Sequence, residues 1–395
     1  MFMNKPNASY GKRFRLPAVL LISIGHHIHD IYTSFLAPIL PLLITKLGMN
    51  YTLAGFLSVI QRIPALFNPF VGIIAENLRI RYLVILTPAT TAIFMSLIGV
   101  APNYIFLAVI LFFAGLSSTF FHVPTPVMIK QVSGNQLGKG MSFYMLGGEF
   151  ARTVGPVVIL GAVSLWGLEG TYRLIPFGVV TSLVLFWKLK NVDVRSVQPK
   201  DSSQVGYWQT FKKFLPVFLG IASMSIFWGG MKAALTLYLP TYLNLRGSGL
   251  WFSGISLSAL QLAGAIGALL AGSFSDRRGR MNTLLMVAFA LPLLMLLFVH
   301  VTGIAVIPVL LVTGFFLFAP TPIFLAIIHE LRTTHMPFVN GIFMTINFFI
   351  SSVMMMLVGY LSDELGMELT FKITAFMAIL AIPFALRLKI KGDVG

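Results

Sequence analysis

Residues 82–129 read YLVILTPATTAIFMSLIGVAPNYIFLAVILFFAGLSSTFFHVPTPVMI, with no Asp, Glu, Lys or Arg. Residues 281–329, MNTLLMVAFALPLLMLLFVHVTGIAVIPVLLVTGFFLFAPTPIFLAIIH, are uncharged in the same way. One helix crosses the hydrocarbon core with about 20 residues, so each run is too long for one crossing and right for two. Each has a turn signal near its middle, Pro102-Asn103 in the first and Thr302-Gly303 in the second. Each therefore predicts an out-and-back helical hairpin.

The rest of the chain extends this pattern. Of its 395 residues, 57% are hydrophobic and 10% are charged, against roughly 25% charged in a soluble domain. Such a chain has too little polar surface to cover a water-soluble fold. The expectation is an all-α membrane protein of twelve transmembrane helices. The spans fall near 16–45, 51–76, 82–101, 104–130, 138–166 and 171–189, then 214–243, 251–275, 282–300, 304–328, 338–361 and 369–388. Residues 190–213 form the one long polar stretch and read as a cytoplasmic linker. It separates an N-terminal six-helix bundle (1–189) from a C-terminal one (214–395).

The net charge of +16 would suggest nucleic acid in a soluble protein. Here no basic patch carries interleaved aromatics, and excess Lys and Arg serve to retain cytoplasmic loops. With both termini inside, the outer side holds only Lys46, Arg173, Arg246 and Lys372, and three cations lie within spans. The remaining 21 of 28 are cytoplasmic. The polar, basic start of the chain reads as a cytoplasmic tail rather than a cleaved signal. Without cysteine, disulfides and thiolate metal sites are excluded. No Walker loop or extramembrane catalytic domain is present, so neither an enzyme nor a bound cofactor is expected.

Features recur at nearly half the chain length. The two uncharged runs start 199 residues apart, as do Pro41 and Pro240. Val123-Pro124-Thr125-Pro126 echoes Ala319-Pro320-Thr321-Pro322 at 196, and Gly72 with Glu76 echoes Gly272 with Asp276 at 200. Two parallel six-helix repeats predict a transporter whose halves rock about a central site.

Ionisable residues within spans are costly and mark function. In span 1, His26, His29, Asp30 and Thr33 share one helical face, with His27 at its edge. Proton coupling by Asp30 with His26 or His29 is the favoured role. Substrate hydrogen bonding, a static packing cluster, and a divalent-metal site built from His26, His29 and Asp30 remain open beside it. In span 5, Glu149 and Arg152 lie one turn apart. They either neutralise each other or bind an anion and exchange a proton. Arg62 and Lys232, with Arg152, can line a positive cavity for a phosphate, phosphonate or carboxylate; Arg62 paired to Asp30 is the structural alternative. His122 precedes a Val-Pro helix break, where backbone groups can face a cavity. Tyr32 and Trp228 are further cavity candidates.

The loop after span 8, Gly272-Ser273-Phe274-Ser275-Asp276-Arg277-Arg278-Gly279-Arg280, resembles the signature G-x-x-x-D-R-x-G-R of the major facilitator superfamily. It matches every fixed position. The resemblance implies the fold of that superfamily and a cytoplasmic latch. In this latch Gly272 permits close packing, Asp276 accepts from a helix N-terminus or an arginine, and Arg277, Gly279 and Arg280 complete the turn. The first-half copy retains Gly72 and Glu76 but lacks the second glycine.

Span 1, from Gly25-His26 through His29-Asp30, Tyr32, Phe35-Leu36, Pro38 and Leu40-Pro41, resembles the fosmidomycin-resistance branch. So do Phe121-His122, Gly147-Gly148 and Gly155-Pro156. Val123 and the charges of Glu149 and Arg152 depart from it. The resemblance implies a bacterial inner-membrane, proton-coupled drug or metabolite exporter acting by alternating access. The expected partners are a small, anionic substrate, protons and the lipid bilayer, and one chain is expected to suffice as a monomer. A proton-symporting importer and a divalent-metal carrier are the alternatives.

Overall fold

The computed structural model describes residues 14–68, 80–190, 206–331, 333 and 335–383. Among them there are helices and turns and no strand. Ten helices have the length and apolarity to cross a membrane: α1 (Leu16–Leu47), α3 (Arg81–Val100), α4 (Tyr104–Ser133), α5 (Leu137–Trp166), α6 (Glu169–Leu189), α7 (Tyr207–Leu245), α8 (Leu250–Arg278), α9 (Arg280–His300), α10 (Gly303–Glu330) and α11 (Phe338–Leu365). Two shorter apolar segments, α2 (Tyr51–Phe67) and α12 (Met367–Ile379), take the second and twelfth places. The fold is an all-α membrane fold of twelve helices in two halves.

Local chemistry sets the helix ends. Asn103 caps α4, its side-chain oxygen accepting from the Phe106 amide at 2.9 Å, and Asn50 caps α2 in the same way through Leu53 at 2.8 Å. Gly279, at the α8–α9 turn, has φ of +90°, a conformation that disfavours any residue with a Cβ. The helix after the linker starts at Tyr207 rather than at 214. Its added turns are stabilised by apolar contacts: Trp208 stacks on Phe211 and Tyr207 packs on Phe338. Residues 191–205 of the linker lie outside the described residues.

Four helices are interrupted, and prolines account for it. α1 breaks at Ser34–Phe35, where Pro38 cannot donate to the Ser34 carbonyl. α7 carries a π-helical turn over Ala234–Tyr238, just before Pro240. α4 is interrupted at Val123-Pro124 and α10 at Ala319-Pro320. The pairs α1/α7 and α4/α10 are repeat equivalents, so the internal duplication is built into the backbone as well as the sequence.

Large apolar side chains such as Leu165, Trp187, Leu293 and Phe349 are exposed on the outer surface of the bundle. In water this would be unfavourable; in a bilayer these residues meet lipid tails. The halves pack through α2 with α11, α5 with α8, and α1 with α7. This packing leaves a cavity between them.

Candidate functional site

The cavity has a volume of about 940 Å³ and is lined by α1, α2, α4 and α5 of the first half and by α7, α8, α10 and α11 of the second. These are two equivalent sets of four helices. The cavity runs from the breaks in α1 and α7, at Ser34 and Thr236, toward Gly272 near the end of α8 and Met141 near the start of α5. Among the described residues its charged lining is Arg62, Lys232, Arg152 and Glu149: three cations against one carboxylate. Arg152 donates to both Glu149 oxygens, at 3.1 and 3.2 Å. Among the described residues, neither Arg62 nor Lys232 has a carboxylate partner; the Lys232 ammonium sits 5.4 Å from the Phe318 ring centroid. Arg62 therefore does not pair with Asp30 and faces the cavity instead. Gln61 and Gln261, 200 positions apart, add amides from the two halves.

A second polar group lies behind this wall. Asp30 is 2% exposed and meets three imidazoles. His29 Nδ1 is 2.9 Å from Asp30 Oδ1, His122 Nε2 is 3.3 Å from the same oxygen, and His26 Nε2 is 3.3 Å from Oδ2. The Tyr144 carbonyl lies 2.8 Å from His26 Nδ1 and can only accept, so that nitrogen carries the proton. The Ser118 carbonyl, 3.0 Å from His122 Nδ1, fixes the second ring likewise. His29 is engaged at both ends, its Nε2 3.0 Å from the Thr91 hydroxyl, which leads on to Ser117. His26, Asp30 and His122 offer ligand atoms within 4.8 Å of one another. His29, though 2.9 Å from Asp30, is not part of that trio; His122 takes the place the sequence gave to it. His27 leaves the cluster altogether: its Nδ1 is 3.0 Å from the Gly147 carbonyl, and its ring stacks on Phe150.

The glycines of α5 make the cluster possible. A Cβ at Gly148 would strike the His26 ring and come within 3.2 Å of Asp30 Oδ2. At Gly147 and Gly155 it would meet the Ser23 carbonyl and the Ser34 hydroxyl of α1. Small residues let two helices approach until their polar groups share one site.

Three sequence candidates for the cavity do not line it: His122, which joins the Asp30 cluster, and the two aromatic residues Tyr32 and Trp228. The Tyr32 hydroxyl donates to the Leu174 carbonyl at 2.6 Å, so it anchors α1 to the start of α6. Trp228 is buried and stacks on Phe324. Neither lines the cavity, because each ring is consumed by packing.

At the signature turn, Arg280 organises the contacts. It pairs with Asp276, donates to Glu330 at the end of α10 at 2.8 Å, and reaches the Gly272 carbonyl at 3.3 Å. Asp276 thus accepts from an arginine, within one half. Close packing at Gly272 is not found among the described residues: a Cβ there would meet none of their atoms within 4 Å, and Gly272 lines the cavity. Arg277 sits beside Asp276 in the last turn of α8. Gly72 and Glu76 lie outside the described residues. Sequence reasoning missed Glu330, Gln61, Gln261 and Thr91. Glu330 had a signal, being the first charge after the second uncharged run.

A charged cavity between two duplicated six-helix halves defines a membrane carrier, not an enzyme. The chain belongs to the Major Facilitator Superfamily, whose family model matches residues 22–353. It is 22% identical over 373 residues to the fosmidomycin resistance protein of Escherichia coli (strain K12), covering 91% of this chain and 90% of that protein. A stretch of 145 residues is 23% identical to an uncharacterised transporter of this superfamily from Bacillus subtilis (strain 168), covering 36% and 35% of the two chains. Among solved structures, a bacterial homologue of the human lysosomal transporter Spinster, inward-facing and unoccupied, superimposes with a TM-score of 0.78 at 13% identity over 97% of each chain. The nucleoside transporter NupG gives 0.72 at 15% identity, over 94% of this chain and 100% of that one.

Proposed function

We propose that this protein is a proton-coupled antiporter that exports a small organic anion, drug or metabolite by alternating access. The observation that carries the anion reading is the cavity wall: Arg62, Arg152 and Lys232 face one space, with Glu149 the one carboxylate among the described lining residues. Excess positive charge in a poorly solvated site favours a negative ligand, and guanidinium groups hold phosphonate or carboxylate through paired hydrogen bonds. Lys232 approaches from the opposite half to Arg62 and Arg152, so a bound anion would draw the halves together.

Asp30 with His26, His29 and His122 is the proton-coupling group in this reading. Its imidazoles surround one buried carboxylate, and Thr33 and Ser34, just after Asp30, and Ser118, one turn before His122, line the cavity. Glu149, held by Arg152, is a second acid through which anion and proton can compete. Export is favoured by the likeness to the fosmidomycin resistance protein over most of both chains. A bacterial inner membrane, cytoplasmic termini and a monomeric pathway complete the proposal. In that orientation the cavity faces the cytoplasm, and Arg280 with Asp276 and Glu330 edges its mouth.

The test uses purified protein in liposomes containing a pH-sensitive dye, with phosphonates, carboxylates, siderophores and divalent cations added in turn. Anion-dependent proton flux in the antiport direction is expected. Flux of the opposite sign would replace export with symport. Proton release with divalent cations alone would make the histidine group a cation carrier and reject the anion reading.

A further inference from the structure

We infer that Asp363 of α11 and its repeat counterpart Ser164 of α5 are gating residues, closing the end of the cavity opposite the signature turn through two unequal clasps. This rests on the alternating-access reading above.

The stronger clasp joins α11 to the N-terminus of α2. Asp363 Oδ1 accepts from the Tyr51 amide at 2.8 Å. Its Oδ2 accepts from the Thr52 amide at 2.8 Å and the Thr52 hydroxyl at 2.6 Å. Asn50 takes the next amide, Leu53. A helix start exposes unpaired N–H groups and partial positive charge; here a carboxylate from the other half satisfies two of them. Beneath it, the Tyr238 hydroxyl of α7 lies 2.9 Å from the Tyr51 carbonyl and 3.0 Å from the Met355 carbonyl. Gly55 and Gly359 flank that hydroxyl, and a Cβ on either would collide with it.

The weaker clasp is the repeat image. Trp251 at the start of α8 donates its indole N–H to the Ser164 hydroxyl at 2.9 Å, and Gly254 packs on Leu160. Tyr51 and Trp251 lie 200 positions apart, and Ser164 and Asp363 lie 199 apart. Gly55 and Gly254 also differ by 199, as do Leu160 and Gly359. The duplication has therefore placed a contact between the halves at two equivalent helix pairs. One uses three hydrogen bonds to an ionised group; the other uses a single neutral one. Opening this end requires both to part, and the charged clasp sets the balance.

The chain has no native cysteine, so spin labels can be placed at Ile105→Cys and Ile304→Cys. These residues are 74% and 80% exposed and lie at the equivalent ends of α4 and α10. Pulsed dipolar spectroscopy on the full chain in liposomes then reads the separation of the halves at this end. Asp363→Asn is expected to raise the long-distance fraction about threefold or more, and Ser164→Ala to raise it less. Thr52→Val, which removes only one donor, should fall between wild type and Asp363→Asn, and it decides the matter if Asp363→Asn does not fold. An unchanged distribution in both Asp363→Asn and Thr52→Val, or a larger shift in Ser164→Ala, overturns the assignment. The distances need neither substrate nor a proton gradient, so failure here is distinguishable from failure of the proton-flux test.

Discussion

Asp30 of α1 and His122 of α4 approach to 3.3 Å, and only His122 is appreciably open, with 38% of its side chain exposed against 3% for Asp30. The imidazole is thus the wet member of the pair and the carboxylate the dry one. That ordering suits a group that loads a buried acid through an accessible base. Asp30→Asn should abolish pH-driven accumulation in liposomes while substrate exchange without a gradient survives. His122→Gln should slow gradient-driven uptake by roughly tenfold or more, as expected when a positioned proton carrier is removed. Unaltered accumulation in Asp30→Asn would remove the cluster from the coupling mechanism.

Arg62 and Lys232 reach the cavity from different halves, and neither has a carboxylate partner among the described residues. Replacing either with Gln should weaken anion binding by about 1.5–3 kcal/mol, the worth of a charge-assisted hydrogen bond, or roughly tenfold to hundredfold in Kd. Isothermal titration with the transported anion measures this. Equal affinity in Arg62→Gln, Lys232→Gln and wild type would move the anion site elsewhere.

Gly148→Ala places a methyl group against the His26 ring and Asp30. Overpacking of this kind costs about 1–3 kcal/mol, so the variant should unfold at lower temperature and lose coupling together. Gly161→Ala is the control, since nothing lies within 4 Å of its added carbon. Helix propensity favours alanine at both positions, so a loss of equal size in both would show that the close approach to α1 is not its cause.

Gly272→Ala should leave thermal stability near wild type, because its Cβ meets open space. Its transport rate should nonetheless fall if, as proposed, alternating access brings the two halves together at the signature turn. Wild-type turnover in Gly272→Ala would mean that this end never packs tightly around position 272.

Much of the fold was legible because bilayer crossing imposes length and hydrophobicity on each helix. The two uncharged runs became the hairpins α3–α4 and α9–α10, turning where Asn103 caps and where Gly303 adopts a φ of +60°. The proline echoes marked the interruptions of α4, α7 and α10, whereas the break in α1 is set by Pro38, one turn before the echoed Pro41. Of the site, the one-face spacing of His26, His29 and Asp30 was visible, because i, i+3 and i+4 positions on a helix are fixed neighbours. The same rule made Glu149 and Arg152 a pair.

What a helical wheel cannot carry is the rotation of one helix against another. It left Tyr32 and Trp228 as cavity candidates, whereas packing against α6 and α10 uses both rings. It gave no reason to join Asp363 to Tyr51, since neither lies in a motif and each is chemically ordinary alone. The sequence by itself determined a twelve-span duplicated carrier with cations within its spans, through hydropathy, charge distribution and repeat spacing. Only the tertiary structure decided that His122 joins Asp30, that Arg62 faces a cavity and not that carboxylate, and that Asp363 caps a helix of the other half. Those contacts depend on ångström-scale approach between segments distant in sequence, set by glycines such as Gly148 and Gly55 at helix crossings.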